Sequence, residues 1–193
     1  MVLLDSYPTS MVGRVKIVSD YYYTLMILVI GDSSTGKDEF CRDFSSNCFK
    51  EDFIPTIGVE FYSKILNYKD KIVNIQLWNF GWNEKFKFLL SQYCKGQHGV
   101  IIMFDVTNSK TLEKLPNWLQ VIRKNAGNIP IFLVGNKFNS EIPRMISSQE
   151  GVRIMESYKL SAYVEISTKT GDNVENLFQN LTENILRNYN NAS

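Results

Sequence analysis

Apolar residues fall into two alternating patterns along this chain, and their alternation predicts an α/β fold. Apolar segments typical of strands cover 24–31, 58–67, 71–78, 99–105, 130–136 and 162–167. Amphipathic segments with helical spacing cover 37–47, 84–94, 111–125, 147–158 and 172–187. The polar turn at 67–70 predicts a hairpin between its two neighbouring strands. We therefore expect a three-layer fold with a six-stranded, mostly parallel sheet and one antiparallel edge strand.

Composition and charge limit the class of protein. A chain of 193 residues, 44% of them hydrophobic, suffices for one core. The formal net charge of +1 gives no overall field toward nucleic acid or acidic membrane. The spacing of Cys41, Cys48 and Cys94 matches neither a disulfide framework nor a metal site, which indicates a cytoplasmic protein. Val2 excludes N-myristoylation and the chain ends without a prenylatable cysteine, so we expect membrane attachment to be indirect.

Residues 31–38, Gly-Asp-Ser-Ser-Thr-Gly-Lys-Asp, have the spacing of a phosphate-binding loop between a strand and a helix. Such a loop directs backbone N–H groups and a helix N-terminus toward phosphates. Asp38 stands where the pattern has a Ser or Thr that binds Mg²⁺, and a ligand-free turn is the alternative interpretation. The predicted phosphate-binding residues are Gly31, Ser33, Ser34, Thr35, Gly36, Lys37 and Asp38.

Further motifs follow in a fixed order. They are Phe-Ile-Pro-Thr-Ile-Gly-Val-Glu-Phe at 53–61, Ile-Gln-Leu-Trp at 75–78, Asn136-Lys137 and Ser167-Thr168-Lys169. With the phosphate loop, they make residues 24–188 resemble the Ras superfamily, and its Rab branch most closely. The resemblance implies a Ras-like P-loop G domain that binds GTP or GDP with Mg²⁺. Residues 1–23 are then an N-terminal extension and 189–193 a short C-terminal tail.

The resemblance also implies roles for individual residues. Thr56 is expected to sense the γ-phosphate through Mg²⁺, and Phe49 to stack on the guanine. Base recognition is assigned to Asn136, Lys137, Asn139, Ser167, Thr168 and Lys169. The Rab aromatic triad, through which effector or scaffold proteins bind, corresponds to Phe61, Trp78 and Tyr93, with Trp82 as a further candidate for partner binding.

Several substitutions fall on residues that carry the chemistry of that family. Asn79 replaces the aspartate that holds Mg²⁺ through water, and Trp82 replaces the glycine that faces the γ-phosphate. Asn83, the candidate catalytic residue together with Thr56, is one methylene shorter than the glutamine that orients the attacking water. Ser34 stands where hydrolysing members mostly have glycine. We therefore expect slow hydrolysis.

The base site and the metal site are changed as well. Asn139 replaces an aspartate that accepts two hydrogen bonds from guanine, which predicts an altered base preference. The family has a neutral Ser or Thr at the position of Asp38 and an aspartate at the position of Asn79. This chain therefore keeps one carboxylate, but at the other of the two positions, so Asp38 and Thr56 are the candidate Mg²⁺ ligands. Drift at both positions, after selection for nucleotide chemistry relaxed, is the favoured interpretation, and a relocated metal site is the alternative.

Three functions remain open. The leading one is a pseudo-GTPase that acts as a protein-interaction module in intracellular signalling or trafficking. The others are a GTP-dependent switch whose partner assists hydrolysis and a nucleotide-free scaffold.

Overall fold

The computed structural model describes residues 22–45, 58–81, 87–137 and 142–192. Within these residues, six strands form one sheet in the order β2-β3-β1-β4-β5-β6. The pair β2 and β3 is antiparallel and the other neighbouring pairs are parallel, which confirms the predicted fold class. The strands are β1 (Tyr22–Gly31), β2 (Val59–Tyr68), β3 (Lys71–Gly81), β4 (Gly99–Asp105), β5 (Ile131–Asn136) and β6 (Ala162–Ile166).

Helices cover both faces of this sheet. They are α1 (Lys37–Ser45), α2 (Lys87–Tyr93), α3 (Leu115–Ala126), α4 (Ser148–Ser157) and α5 (Val174–Ala192). Ile27 and Val29 of β1 pack into a core cluster that includes residues of α1 and α5. Leu28 and Ile30 pack into a second cluster that includes residues of α2 and α3. Because β1 is buried on both faces, its sequence is a continuous apolar run.

Some element boundaries differ from the sequence prediction. Strand β3 continues to Gly81 instead of ending at 78, because Asn79 pairs with Val29 of β1 and with Glu60 of β2. Helix α3 begins at Leu115 instead of 111, because the preceding residues form a separate 3₁₀ turn. Helix α5 continues to Ala192.

Parallel strands end at the same edge of a sheet, and this edge positions the candidate site. Gly31 ends β1, Asn136 ends β5 and Ile166 ends β6, and each is followed by one of the predicted ligand-binding loops. In the described part of the chain, no helix has both the length and the apolar character needed to cross a bilayer.

Candidate nucleotide-binding site

The phosphate loop joins β1 to α1 through a 3₁₀ turn at Ser33–Thr35. Thr35 closes this turn, since its N–H and its hydroxyl both donate to the carbonyl of Asp32, at 3.2 and 2.8 Å. Gly36 follows with a φ of +77°, and a Cβ atom there would lie 2.4 Å from Asn136 Nδ2. The loop therefore needs glycine at this position for both its conformation and its packing.

Lys37 and Asp38 form an ion pair at the start of α1. The Lys37 side chain is 3% exposed, and its Nζ donates to Asp38 Oδ1 at 2.6 Å. Burial alone would raise the pKa of the Asp38 carboxyl, but hydrogen bonds from Lys37 and from Asn79 outweigh it and lower that pKa. Asp38 is therefore ionised at neutral pH, and it neutralises the ammonium that was predicted to bind phosphate.

Asn79 connects this ion pair to the sheet. Its Nδ2 donates to Asp38 Oδ1 at 2.8 Å and to Glu60 Oε2 at 3.3 Å. The residue is 3% exposed, and its Oδ1 finds no hydrogen-bond partner among the described residues. The carboxylates of Asp38 and Glu60 thus both accept hydrogen bonds from the Asn79 amide. Asp38 and Asn79, the two residues that differ from the family at the predicted metal site, are therefore in direct contact.

Asn136, a predicted base-recognition residue, joins three segments of the chain. It is fully buried at the end of β5. Its Nδ2 donates to the carbonyl of Thr35 at 2.8 Å and to the hydroxyl of Thr168 at 3.0 Å. Its Oδ1 accepts from the N–H of Thr168 at 3.1 Å. The predicted base-recognition residue therefore holds the phosphate loop against the loop that follows β6.

The loop after β6 is closed by its own hydrogen bonds. Ser167 accepts from the N–H of Gly171 at its carbonyl, at 2.8 Å, and from the N–H of Thr170 at its hydroxyl, at 3.2 Å. The N–H of Lys137 donates to the carbonyl of Ile166 at 2.8 Å. The side chains of Lys137 and Lys169 are exposed on this side of the protein.

These contacts bring the described parts of the predicted site together at one edge of the sheet. Five predicted residues lie outside the described residues: Phe49, Thr56, Trp82, Asn83 and Asn139. Within the described ranges, no three His, Cys, Asp or Glu side chains come together as a metal-binding group. The Mg²⁺ assignment of Asp38 and Thr56 therefore stays a prediction.

A model of the Ras family matches residues 26–187 of this chain. The chain belongs to the Ras family. It is Rab-like, since it is 34% identical to the Ras-related protein Rab-1 of Theileria parva over 86% of this chain and 76% of that protein. It is 32% identical to the Ras-related protein SEC4 of Candida albicans, over 83% of this chain and 77% of that protein. The identity to the Ras-related protein RABE1d of Arabidopsis thaliana is also 32%, over 86% and 78% of the two chains.

Three of the four aromatic residues predicted to bind partners, Phe61, Trp78 and Tyr93, form one cluster on this Rab-like protein, and Trp82 lies outside the described residues. The rings of Phe61 and Trp78 meet edge-on with centroids 4.6 Å apart, and those of Trp78 and Tyr93 lie 6.0 Å apart. All three residues are half-buried, while Phe88 in the first turn of α2 is 69% exposed. The Trp78 Nε1 is buried without a hydrogen-bond partner among the described residues.

One contact of the phosphate loop escaped the sequence analysis of this Rab-like protein. Lys114 Nζ donates to Asp32 Oδ2 at 3.0 Å and so joins the loop to the residue before α3. Burial alone would raise the pKa of the Asp32 carboxyl, but the bond from Lys114 lowers it. The two residues are 82 positions apart, and no sequence motif predicts that they form an ion pair.

The backbone of this loop is suited to binding a nucleotide phosphate, but the charged side chains beside it are not. Glycine at 36, the 3₁₀ turn and the backbone amides at the start of α1 are the features that bind phosphate in such loops. The first turn of α1 carries Asp38 and Glu39, however, and Lys37 is already paired. A phosphate would therefore enter a site whose positive charge is partly neutralised by the protein.

Proposed function

We propose that this Rab-like protein is a pseudo-GTPase, which binds guanine nucleotide weakly or with altered base preference and hydrolyses GTP negligibly. It acts as a protein-interaction module in intracellular signalling or trafficking. The observation that carries this proposal is the Lys37–Asp38 ion pair, linked to Asn79. The protein itself supplies the anion that a nucleotide phosphate supplies in an ordinary site.

Charge explains why this pair weakens nucleotide binding. To bind a phosphate, Lys37 must leave Asp38 or share its ammonium between the two anions. Like charges at about 4 Å cost on the order of 4 kcal/mol at an effective dielectric constant near 20. Because the Asp38 side chain is 43% exposed, solvent reduces this cost without removing it. Affinity for phosphate is lowered, and a cation between the carboxylate and the phosphate would recover part of it.

Three substitutions support negligible hydrolysis. Asn79 is an amide where the family has a carboxylate for the metal, and it is held in the β-ladder between β1 and β2. Trp82 and Asn83 follow β3 in the sequence, where the family has the glycine and the glutamine that serve the γ-phosphate and the water. Each of the three removes a different contribution to the reaction.

The aromatic cluster supports an interaction role. Phe61, Trp78 and Tyr93 form a contiguous half-buried surface, and Phe88 adds an exposed ring nearby in the chain. Aromatic residues are enriched among the residues that dominate binding energy in protein interfaces. We propose effector or scaffold proteins as the partners, with Trp82 as an additional anchor.

A second candidate is a GTP-dependent switch with a relocated metal ligand. The 2.8 Å contact between Asn79 and Asp38 favours it, because the carboxylate has moved only to the adjacent side chain. In this case Asp38 and Thr56 hold Mg²⁺, and a partner assists hydrolysis. The third possibility is a nucleotide-free scaffold, in which Lys37 and Asp38 remain paired and no phosphate replaces Asp38.

The nucleotide content of the purified protein tests the proposal. The protein is purified without added nucleotide, denatured, and the released nucleotides are separated and quantified. We expect less than one nucleotide per protein, or GTP in place of GDP. Stoichiometric GDP would contradict the proposal, because a site that binds firmly and hydrolyses GTP retains this product.

A further inference from the structure

The side-chain amide of Asn136 has no N–H group left for a ligand. An asparagine side chain has two such donors. One donates to the carbonyl of Thr35 at 2.8 Å, and the other to the hydroxyl of Thr168 at 3.0 Å. The residue is fully buried; its bond to Thr35 is buried too, and its bond to Thr168 is partly buried.

Guanine presents two hydrogen-bond acceptors, N7 and O6, on one edge. An amide whose N–H groups are both engaged donates to such an acceptor only after it gives up one of its bonds. The bond to Thr35 holds the phosphate loop, which a bound nucleotide needs. The bond to Thr168 is made by the hydroxyl of one side chain in the loop after β6.

The Thr168 hydroxyl lies against the phosphate loop. Its oxygen would be 3.3 Å from a Cβ atom built on Gly36 of the phosphate loop. The N–H of the same residue donates to Asn136 Oδ1 at 3.1 Å, so Thr168 contacts both ends of the amide. The backbone contact persists with any residue at this position, whereas the contact to Nδ2 requires the hydroxyl.

We propose that Thr168 is a specificity-determining residue whose hydroxyl occupies an Asn136 N–H and so lowers the affinity for nucleotides through their base. The inference rests on the proposed function in one respect, namely that the base of a bound nucleotide lies beside Asn136 and the loop after β6. It does not depend on the rate of hydrolysis or on Asp38.

Three variants of Thr168 separate the hydroxyl from the shape of the side chain. Thr168→Val keeps the shape and removes the hydroxyl, Thr168→Ala removes both, and Thr168→Ser keeps the hydroxyl. Thr170→Val is the matched control, because Thr170 lies in the same loop and its hydroxyl bonds to Asp172 instead. Affinities for GDP and for inorganic pyrophosphate are measured by competition against a fluorescent guanine nucleotide.

We expect Thr168→Val and Thr168→Ala to bind GDP about five- to tenfold more tightly than the wild type, the value of one regained hydrogen bond. Thr168→Ser and Thr170→Val should match the wild type, and pyrophosphate affinity should not change in any variant. Thermal unfolding establishes that each variant is folded, and Thr168→Ala carries the test if Thr168→Val does not fold.

Equal GDP affinity in all five proteins would overturn the inference, as would failure to detect GDP binding in the two variants without the hydroxyl. An equal gain for pyrophosphate would also overturn it, because the gain would then come from a relaxed phosphate loop. None of these results contradicts the proposed function. Stoichiometric GDP in the wild-type protein would contradict the proposed function and leave the comparison of the variants valid.

Discussion

Asn79 Nδ2 lies 2.8 Å from Asp38 Oδ1, so a residue in the sheet is bonded to a residue in the first turn of α1. Both residues depart from the pattern of the Ras family, and they do so in opposite directions. Asp38 brings a carboxylate where a hydroxyl is expected, and Asn79 brings an amide where a carboxylate is expected. Because they touch, the two substitutions keep one carboxylate and one neutral group at this contact, and we expect their effects to depend on each other.

A double-mutant cycle of Asp38→Ser and Asn79→Asp measures this dependence. We expect Asp38→Ser to raise GDP affinity in EDTA, because it frees the Lys37 ammonium. Asn79→Asp alone should lower that affinity, since it places two carboxylates in contact. The double variant should gain a dependence on Mg²⁺, and the two effects should couple by about 0.5–3 kcal/mol.

Asp43→Ser, on the exposed side of α1, is the control for removing a carboxylate from this helix. Additive effects would show that the two substitutions are independent and would favour drift. If Asp38→Ser instead weakens GDP binding only when Mg²⁺ is present, Asp38 is a metal ligand and the second candidate function is correct.

Asn139 is expected to change the choice of base. Xanthine has a carbonyl where guanine has an amino group, and an asparagine amide can donate to this carbonyl. We expect the preference for GDP over XDP to be small in the wild type and to increase in Asn139→Asp. Competition of the two nucleotides for the same site measures the ratio. A wild-type preference for GDP of several orders of magnitude would show that Asn139 does not read the base in this way.

The sequence predicted the fold class, because alternating strand and helix segments are typical of an α/β sheet and the polar turn at 67–70 indicated the antiparallel pair. The end of β3 was not predicted, since Asn79 is polar and its place in the sheet depends on pairing with strands on both sides. The phosphate loop was predicted from its glycines and lysine. The pairing of Lys37 with Asp38 was not, because a motif gives the spacing of residues but not the rotamers of charged side chains.

Asn136 illustrates the same limit. The motif at the end of β5 predicted it as a residue of the base site, and the structure shows that it ends β5 and is buried. Its bonds to Thr35 and Thr168 join residues 101 and 32 positions away. Contacts of this kind require the relative placement of three loops, which only the assembled sheet defines.

Removal of the Asn136 side chain should destabilise the protein. Asn136→Ala leaves the carbonyl of Thr35 and the N–H of Thr168 without this partner in a largely buried place. Buried polar groups that lose their partners cost about 1–3 kcal/mol. We expect the free energy of unfolding in urea to fall by about 2–3 kcal/mol.

Asn176→Ala is the control for that measurement, because Asn176 is exposed on α5 and bonds only weakly to Asn173. It should change the free energy of unfolding by less than about 0.5 kcal/mol. Equal effects of the two substitutions would show that Asn136 does not hold the loops together.

His98 should make stability depend on pH in a range where no other side chain of this protein ordinarily titrates, since it is the only histidine. Its Nδ1 accepts from the N–H of Met26 at 3.0 Å, which requires the neutral ring. Burial lowers the pKa of His98 below its usual value. The unfolded chain therefore binds the proton more readily, and stability decreases as the pH falls from above the usual histidine pKa toward the lowered one.

Urea unfolding at pH 7.5 and at pH 5.5 tests this prediction. The wild type should be less stable at the lower pH, and His98→Asn should lose most of this difference while being less stable than the wild type at pH 7.5. A wild-type stability that is equal at the two pH values, or a difference that persists in the variant, would show that His98 is not the responsible group.

Single-turnover hydrolysis of GTP tests the pseudo-GTPase proposal most directly. The protein is loaded with GTP and Mg²⁺ at saturating concentration, and phosphate release is followed without a partner. A revertant that combines Asp38→Ser, Asn79→Asp, Trp82→Gly and Asn83→Gln is measured in parallel. We expect a wild-type rate below about 10⁻⁴ s⁻¹, the order found for Ras alone, and a higher rate in the revertant. A wild-type rate at or above that order would contradict the proposal.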